Sequence, residues 1–413
     1  MFDENLILEQ NEHWSTGKAN PSYIKEYKRT VYKKLLSGLA NNRIIILKGL
    51  RRTGKSTLMF QLIEHLLENN ISNKHVFYFS FDQTKAELKE ILEFYADQAL
   101  QEDIKKNKIF LFLDEIQKLE DWQNKVKAYY DTYPNIKFIL TGSANISLAK
   151  AKESLAGRIT IYNIGTLSFK EYLEFNKLPT ERIAKNKIKP LLNKYIKQGL
   201  FFETIGMDNS ELNDYFEHTI IDRILYIDLP VEYEIGDREL LKRVYSILLD
   251  NPGMLIDYQS LSRQLGRDRR TIEKYISYLE YSMLLKRVYN YSTNRLTSEK
   301  KLKKAYPAII KPFFNQEGKI AENIVLINSN ARFFYRDAQK REVDFILTEP
   351  VMPLEVKYRN NVQKKELGGL LIFMKKYKLK RGIVITKNIE KKSKFGDKEI
   401  VFIPLWVWLL KNE

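Results

Sequence analysis

A glycine-rich loop between an apolar strand and a helix constrains the fold of this chain more than any other feature. Residues 49–56 read GLRRTGKS and match the pattern G-x-x-x-x-G-K-[ST]; the run IIIL precedes them and a helical pattern follows to residue 67. A continuous apolar run is typical of a strand that is buried on both faces. A loop in this position presents its backbone N–H groups to phosphate. The sequence therefore predicts a nucleotide-phosphate site in a parallel α/β sheet.

Each residue type in this loop has a role in the predicted site. Gly49 and Gly54 are expected to let the backbone turn tightly. Lys55 is expected to reach the β- and γ-phosphates, and Ser56 to bind Mg²⁺. The residues predicted to contact the nucleotide are Gly49, Leu50, Arg51, Arg52, Thr53, Gly54, Lys55, Ser56, Thr57 and Asp114.

Two acidic residues end a second apolar strand. IFLFL at residues 109–113 is followed by Asp114 and Glu115. Open parallel sheets bind ligands at the carboxyl ends of their strands. We therefore expect Asp114 to hold Mg²⁺, through water or Ser56, and Glu115 to orient and activate the attacking water. The alternative is a pair of surface carboxylates at a strand end.

Three further residues are candidates for the catalytic site. Thr141 and Ser143 lie at the end of the next strand, in ILTGSA. Their hydroxyls can bind the γ-phosphate or the attacking water, and strand-end capping explains them equally well. Arg158, in SLAGRIT, is a candidate arginine finger, which stabilises the transition state from its own or a neighbouring subunit. A surface arginine is the alternative.

Composition limits the remaining classes of function. A chain of 413 residues is long enough for about two to four domains. Its net charge of +17 favours a polyanionic partner, most often nucleic acid; a charge that only maintains solubility is the alternative. The absence of cysteine excludes disulfides and thiolate chemistry and fits a cytoplasmic location. No apolar run reaches the roughly 18 residues that span a bilayer, so we expect no membrane segment.

Residues 240–290 have the pattern of a winged helix-turn-helix. LIDYQSLSRQLG stops at Gly266, the helix RDRRTIEKYISYLEYS follows, and LLKRVYNYS is the predicted wing. The apolar residues of the second helix share one face at helical spacing, so Arg269, Arg270 and Lys274 face outward. Such a helix can enter the major groove of DNA. A winged helix that contacts only proteins is the alternative.

A basic run follows, and we expect residues 291–318 to be irregular. Glu299 is the only acidic residue between positions 286 and 311. This density of positive charge favours contacts with DNA phosphates. The basic residues are Lys286, Arg287, Arg295, Lys300, Lys301, Lys303, Lys304 and Lys311.

Acidic residues recur in two strands near the C-terminus. Because side chains alternate along a strand, Glu355 and Lys357 of LEVKY share one face. The turn TEPVMP can bring Asp344 of EVDFIL beside them, and Glu322 on the preceding helix can add a ligand. Two carboxylates and a lysine on one sheet face can bind a divalent metal and activate water. A second metal site is therefore predicted here.

These strings together resemble known families. GLRRTGKSTL, DEIQ, TGSA, LAGR and NIGTLSFKEYL resemble the AAA+-like ATPases common in archaea and many bacteria, over roughly residues 20–175. The resemblance implies ATP as the nucleotide and assembly between subunits. Residues 195–413 resemble the C-terminal domain that usually follows such ATPases, through YIKQGLF, DRILYIDLP, EVDF and LEVK.

The last two strings also resemble the restriction-endonuclease-like PD-(D/E)xK fold. Val343 stands where the name-motif of these nucleases has proline. The resemblance implies either an active nuclease or a fold that kept its residues and lost catalysis, since function does not follow from fold.

The sequence thus predicts an α/β P-loop NTPase with a parallel sheet, a helical lid, a winged helix and a nuclease-like α/β domain. The expected bounds are 1–165, 166–235, 236–295 and 296–413. The first hypothesis is an ATP-hydrolysing homo-oligomer that binds double-stranded DNA and carries a metal-dependent nuclease-like domain. The second is an ATP-controlled signalling switch whose C-terminal modules bind proteins, and the third is a scaffold with negligible turnover.

Overall fold

The computed structural model describes residues 4–82, 86–143, 153–181, 183–310 and 316–411. The chain divides into two compact units, Met1–Thr166 and Leu167–Glu413. Each unit combines a sheet with helices, which confirms the predicted α/β class. In the described residues no helix is long and apolar enough to cross a membrane.

The first unit is built on a five-stranded sheet in the order β2-β3-β4-β1-β5, and all its strand pairs are parallel. Every residue of β1, β3 and β4 is buried, which explains why these strands are visible as apolar runs. The strands are β1 (Ile44–Gly49), β2 (Val76–Ser80), β3 (Ile109–Asp114), β4 (Ile136–Ser143) and β5 (Ile159–Ile164). The helices are Glu4–Gln10, His13–Thr16, Val31–Leu39, Lys55–Glu68, Leu88–Phe94, the π-helical turn Tyr95–Leu100, and Trp122–Thr132.

Residues 22–40 have the spacing of an amphipathic helix in the sequence, but the helix is shorter and begins at Val31. The residues before Val31 form hydrogen bonds with the helix that follows β1. Gln61 Nε2 on that helix donates to the carbonyls of Lys25 (2.6 Å) and Tyr27 (2.9 Å). Because these carbonyls bond a distant side chain, the helical period over 22–30 is misleading.

The second unit contains a nine-stranded sheet in the order β13-β14-β12-β11-β10-β9-β7-β8-β6. Its strands are β6 (Met254–Leu255), β7 (Leu285–Asn290), β8 (Lys304–Pro307), β9 (Phe333–Arg336), β10 (Glu342–Thr348), β11 (Val351–Lys357), β12 (Arg381–Thr386), β13 (Lys391–Phe395) and β14 (Lys398–Pro404). The principal helices are Phe169–Phe175, Lys185–Gln198, Asn209–Asp214, Leu229–Tyr233, Arg238–Asp250, Tyr258–Leu265, Arg269–Tyr281, Arg295–Lys300, Glu317–Ile327, Gly368–Lys376 and Leu405–Lys411. The π-helical turns Tyr215–Asp222 and Ile224–Asp228 precede the fourth of these helices.

Three strands of this sheet accompany the helices predicted as a winged helix. β8 pairs antiparallel with both β6 and β7. β7 then pairs parallel with β9 through Tyr289↔Phe333 and Asn290↔Phe334. The small sheet and the larger C-terminal sheet are therefore one continuous sheet.

The prediction of an irregular segment over residues 291–318 is wrong. The segment contains the helix Arg295–Lys300, whose first turn is capped by the Asn294 side chain, and the fully buried strand β8. Neither element is recognisable in the sequence, because a run rich in lysine does not show the apolar pattern of a buried strand. Lys311 lies outside the described residues.

Candidate functional site

The phosphate loop, residues 49–56, joins β1 to the helix Lys55–Glu68. Gly54 caps that helix with a φ of 86°, a left-handed conformation that glycine adopts without a steric cost. Arg52 has a φ of 64°. The structure thus brings Gly49 through Thr57 to the carboxyl end of β1, with Leu50 and Thr53 buried and Arg52 exposed.

Gly49 has a different role from the predicted one. Its φ is not among the positive values of the chain. Instead, a Cβ at this position would lie 2.2 Å from the carbonyl oxygen of Ile164 at the end of β5. Glycine is therefore required by the close approach of two parallel strands, and the tight turn depends on Gly54.

Lys55 is only 5% exposed, and its ammonium lies inside the loop. Its Nζ donates to the carbonyl oxygens of Gly49 (3.2 Å) and Leu50 (3.0 Å). Thr53 Oγ1 donates to the Leu50 carbonyl as well, at 2.8 Å. The lysine thus lies among oxygen acceptors at the place where a phosphate would approach.

Asp114 is the centre of the hydrogen-bond network at this sheet edge and is 3% exposed. Its Oδ2 accepts from Ser56 Oγ at 2.6 Å and from Tyr78 OH at 3.0 Å. Its Oδ1 accepts from the Thr141 hydroxyl and from the backbone N–H of Glu115, the latter at 3.1 Å. Burial, and next the charge of Asp114, raise the pKa of Tyr78 well above its usual value, so this phenol remains a donor.

Thr141 and Ser143 hold the acidic residues in place. Thr141 is fully buried, and its Oγ1 also accepts from Glu115 N at 3.0 Å. Gln117 donates to the Glu115 carboxylate, and its Oε1 accepts from the backbone N–H of Ser143 at 3.2 Å. The Glu115 backbone has a φ of 53°. Sequence reasoning missed Tyr78 and Gln117, although DEIQ contains the glutamine at a fixed offset from the carboxylate pair.

Arg29 is the other missed residue of this region. It is 8% exposed. Its guanidinium donates to the Thr53 carbonyl at 3.1 Å and to the carbonyls of Gly165 (2.7 Å) and Thr166 (3.0 Å). It thereby ties the phosphate loop to the chain that leaves β5. A single arginine before a helix carries no sequence signal for such a role.

Arg158 lies at the amino ends of the strands, whereas the phosphate loop lies at their carboxyl ends. The parallel register pairs Ile44 with Ile159 and Gly49 with Ile164, so the residue before Ile159 is at the amino end of the strands. At about 3.3 Å per residue, the six residues of β5 separate Arg158 from the phosphate-loop edge by about 20 Å. Its guanidinium pairs with Asp131 at 2.9 Å. An arginine finger acting on its own subunit is therefore excluded by distance, and the role in a neighbouring subunit stays a prediction.

The structure brings the predicted C-terminal acidic residues together. Asp344 Oδ2 accepts from the backbone N–H of Val356 at 2.7 Å, and Lys357 Nζ pairs with Glu355. Burial, and next the charge of Glu322, raise the pKa of Asp344 to about 6. Burial, and next the charge of Asp344, raise the pKa of Glu355 to about 8.

These carboxylates do not form a ready metal site. In the described part of the chain, no group of three or more His, Cys, Asp or Glu residues is placed to hold a metal ion. Lys304 of β8 lies between Glu322 and Glu342, with Nζ–Oε1 distances of 3.4 and 2.5 Å. The predicted set Glu322, Asp344 and Glu355 is thus present, but it is paired with lysine.

The burial of Lys304 corrects one prediction for the basic run, residues 286–311. Lys304 is 3% exposed and cannot contact a phosphate in this conformation. Lys286 Nζ donates to the carbonyls of Leu326 and Ser329, both at 3.2 Å, and burial lowers its pKa to about 8. Arg287 pairs with Glu280 with its side chain 12% exposed. The charged groups of these three residues are engaged within the unit, so the net charge overstates the surface available to a polyanion.

The remaining predicted DNA contacts lie at the surface. Arg269, Arg270 and Lys274 are exposed on the helix Arg269–Tyr281, whose N-cap is Asp268. Arg295 and Lys300 are exposed, and Lys301 and Lys303 are half-buried. Among the described residues, the predicted contacts thus form two exposed basic groups, one on this helix and one between β7 and β8.

Comparison with known families supports an AAA-type ATPase domain in the first unit. Residues 41–173 match the family described as AAA domain. This segment is similar to AAA-type ATPase domains. It contains the phosphate loop, Asp114 and Glu115, which supports ATP binding and hydrolysis at this site. Residues 189–308 and 317–408 match two families described as domains of unknown function, DUF8612 and DUF4143.

The chain is similar over most of its length to proteins of Haemophilus influenzae and Methanocaldococcus jannaschii. An uncharacterized protein of Haemophilus influenzae is 28% identical over 386 residues, which cover 88% of this chain and 94% of that protein. An uncharacterized protein of Methanocaldococcus jannaschii is 28% identical over 437 residues, covering 94% of this chain and 90% of that protein. The similarity extends over both compact units.

Solved structures show only distant likeness. The Aeropyrum pernix ORC1 protein in complex with DNA has a TM-score of 0.34 and 12% identity, covering 74% of this chain and 94% of that one. AMPPCP-bound DnaA from Aquifex aeolicus has a TM-score of 0.32 and 18% identity, covering 63% and 92%. Both scores are too low to define the fold of the whole chain.

Proposed function

We propose that this protein hydrolyses ATP with Mg²⁺ at the phosphate loop and the Asp114–Glu115 pair. The supporting observation is the 2.6 Å contact between Ser56 Oγ and Asp114 Oδ2, since it joins the two groups that P-loop ATPases use for Mg²⁺. Hydroxyl and carboxylate oxygens are ligands that Mg²⁺ accepts, so these residues fit the ion. When bound, the ion would neutralise charge on the β- and γ-phosphates.

The residues of the chain then have separate roles. Lys55 exchanges its loop carbonyls for phosphate oxygens, which bind an ammonium more strongly because they are charged. Glu115 orients the attacking water and accepts its proton. Thr141 and Gln117 act as positioning residues, because they fix the backbone and the carboxylate of Glu115.

Separate measurements of binding and turnover test this proposal. Glu115→Gln should bind a fluorescent ATP analogue with wild-type affinity and hydrolyse ATP on the order of a hundredfold more slowly. Lys55→Ala should lose binding itself, because the phosphates lose their fixed counter-charge. Glu120, exposed near the same strand end, provides the matched control, and Glu120→Gln should match wild type. Wild-type turnover in Glu115→Gln would disprove the role of Glu115.

We infer that double-stranded DNA is the partner of the second unit. The support is the exposed basic face of the helix Arg269–Tyr281, which β6 precedes and β7 and β8 follow in the order of a winged helix. A second exposed basic group lies at Arg295 and Lys300. Helices of this kind enter the major groove, and the adjacent basic group can reach phosphates.

Duplex binding measured at several salt concentrations tests this function. Lys274→Ala and Lys300→Ala should each weaken binding. If the replaced lysine neutralises a phosphate in the wild-type complex, the plot of log affinity against log salt concentration should also become flatter by about one unit of slope. Binding that is weak at low salt and unchanged in both variants would favour the signalling switch, in which the same surfaces bind proteins.

Metal-dependent cleavage of nucleic acid is a second candidate activity of this unit. The observation that favours it is a cavity of about 330 Å³ lined in part by Glu322, Val356 and Lys357. Lys357 pairs with Glu355, and the backbone N–H of Val356 donates to Asp344. Incubation with plasmid DNA, Mg²⁺ or Mn²⁺, and ATP or a non-hydrolysable analogue tests this activity, and cleavage that Asp344→Asn abolishes would support it. Intact plasmid under all these conditions would contradict it.

We propose finally that the chain acts as a homo-oligomer. Arg158 is too far from the phosphate loop of its own subunit, and its side chain is 36% exposed, so a neighbouring subunit can receive it. Arginine fingers supplied in this way stabilise the transition state of phosphoryl transfer.

A further inference from the structure

Lys304 is a buried lysine surrounded by acidic side chains. Only 4% of its side chain is exposed, and its Nζ lies 2.5 Å from Glu342 Oε1 and 3.4 Å from Glu322 Oε1. Burying an ammonium is costly unless opposite charges surround it. The acidic residues therefore offset the cost of burying the Lys304 ammonium, and the ammonium offsets the cost of burying their carboxylates.

The carboxylate cluster, defined as Glu322, Glu342, Asp344 and Glu355, is matched by cationic side chains. Lys304 pairs with Glu322 and Glu342, and Lys357 pairs with Glu355. Lys319 lies 3.6 Å from Glu322 Oε2, and Arg336 lies 3.0 Å from Glu342 Oε2. These cations offset the negative charge of the cluster, so a divalent ion added to this arrangement would find no excess of negative charge to bind.

One acceptor of the cluster is nevertheless unused. Glu355 Oε2 is buried and has no hydrogen-bond partner among the described residues, although a buried carboxylate oxygen ordinarily has one. Tyr306, which donates to Glu322, and the nearby Gly253 restrict the space around Glu322 Oε1. The cluster thus has the acceptor capacity of a cation site, while a lysine occupies the position between its carboxylates.

We propose that the Lys304 ammonium is the resident cation of this cluster and keeps divalent metal ions out. Removal of its charge converts the cluster into a divalent-cation site that includes Glu322 and Asp344. β8 is held by strands on both sides, so the ammonium leaves the cluster by a movement of the Lys304 side chain. Any metal-dependent cleavage by this unit would require that movement, whereas ATP hydrolysis in the first unit does not depend on it.

Mn²⁺ binding to the full-length protein without nucleotide tests this inference. Free Mn²⁺ is measured by electron paramagnetic resonance in wild type, Lys304→Met and Lys303→Met. Methionine retains the length and apolar stem of lysine without its charge. Lys303 is the matched control, because it is the adjacent lysine and pairs instead with Glu299. Asp344→Asn in each background assigns the bound ion to the cluster.

We expect Lys304→Met to bind one additional Mn²⁺ at least tenfold more tightly than wild type, and Asp344→Asn to abolish this gain. Wild type and Lys303→Met should show no binding that depends on Asp344. Binding in wild type that Asp344→Asn removes would overturn the inference, and so would a folded Lys304→Met with no gain. If Lys304→Met unfolds, Mn²⁺ should restore its melting transition, and failure to do so would also overturn it.

These outcomes are separate from those of the proposed functions. The measurement requires neither ATP nor DNA, so loss of ATPase activity or of duplex affinity leaves its result unchanged. A wild-type protein that hydrolyses ATP and binds Mn²⁺ through Asp344 would retain the proposed function and lose this inference.

Discussion

Asp114 in the first unit and the carboxylate cluster in the second are both buried, but they are stabilised in opposite ways. Asp114 accepts hydrogen bonds from the hydroxyls of Ser56, Tyr78 and Thr141 and from a backbone N–H. These donors are neutral, so the site retains its negative charge for an incoming cation. The cluster is bonded to ammonium and guanidinium groups, which cancel its charge. Buried acidic residues can thus indicate either a site that can still bind a metal ion or an ion-pair network whose charge is already neutralised.

The largest expected effect is that of removing Arg158, the positive charge predicted to complete the nucleotide site around Asp114. Arg158→Ala should lower the ATPase rate on the order of a thousandfold, because an arginine finger contributes at least that much. If the finger acts between subunits, mixing Arg158→Ala with Lys55→Ala protein should restore part of the activity. The recovered site would combine an intact loop with an intact arginine. No recovery in verified mixed oligomers would assign Arg158 to its ion pair with Asp131.

The next prediction separates the two kinds of lysine in the basic run. Without metal, Lys304→Met should reduce the free energy of unfolding by about 3–5 kcal/mol, because it leaves buried carboxylates without their partner. Lys300→Met, at an exposed position, should change it by less than about 0.5 kcal/mol. Urea denaturation measures both values. Equal effects at the two positions would mean that Lys304 is not part of a buried network.

A pair of isosteric substitutions compares the acidic sites directly. Asp114→Asn should lower the ATPase rate at least about a hundredfold, since a metal-ion contact is worth several kcal/mol. Asp344→Asn should leave that rate at the wild-type value. Steady-state phosphate release at saturating ATP and Mg²⁺ measures both. An equal loss in the two variants would show that the C-terminal cluster also acts in ATP hydrolysis and that the two acidic sites are not independent.

The smallest effect concerns Lys286, a half-buried lysine whose hydrogen-bond acceptors are neutral carbonyls. Burial lowers the pKa of Lys286 to about 8, against 10.5 in an unfolded chain, so the unfolded state binds more protons between these values. Stability should therefore rise with pH across that window, by roughly 2 kcal/mol at most. Lys286→Met should remove the rise, as seen in melting temperatures between pH 7.5 and 10. The same slope in both proteins would mean that Lys286 does not titrate in this way.

The structure brings the residues of the predicted nucleotide site together, because the sequence signal for them is local. GLRRTGKS lies between an apolar strand and a helix, and parallel strands bring Asp114 to the same edge whatever the remaining chain does. The roles of Gly49, Arg29 and Thr141 depend on contacts between residues far apart in the chain. No spacing rule reveals such contacts, so these roles required the structure.

The charged regions were harder to interpret for a physical reason. The strand β8 begins with Lys304, and its side chain is buried because Glu322 and Glu342 lie opposite it on other elements. A basic run is a feature of the sequence, whereas the exposure of each lysine depends on the acidic residues that folding brings near. Likewise, the position of Arg158 became interpretable only through the register of β5 with β1.

The continuity of the second sheet has a consequence for how this unit is inherited. The domain boundary between residues 295 and 296 stays a prediction, and β7 and β8, which pair, lie on either side of it. β7 also pairs with β9, so the polypeptide cannot be divided there without exposing unpaired strand edges. We therefore expect the helices near residue 270 and the strands near residue 350 to unfold in one cooperative transition. Gene fusion or shuffling would transmit them together, as a single block.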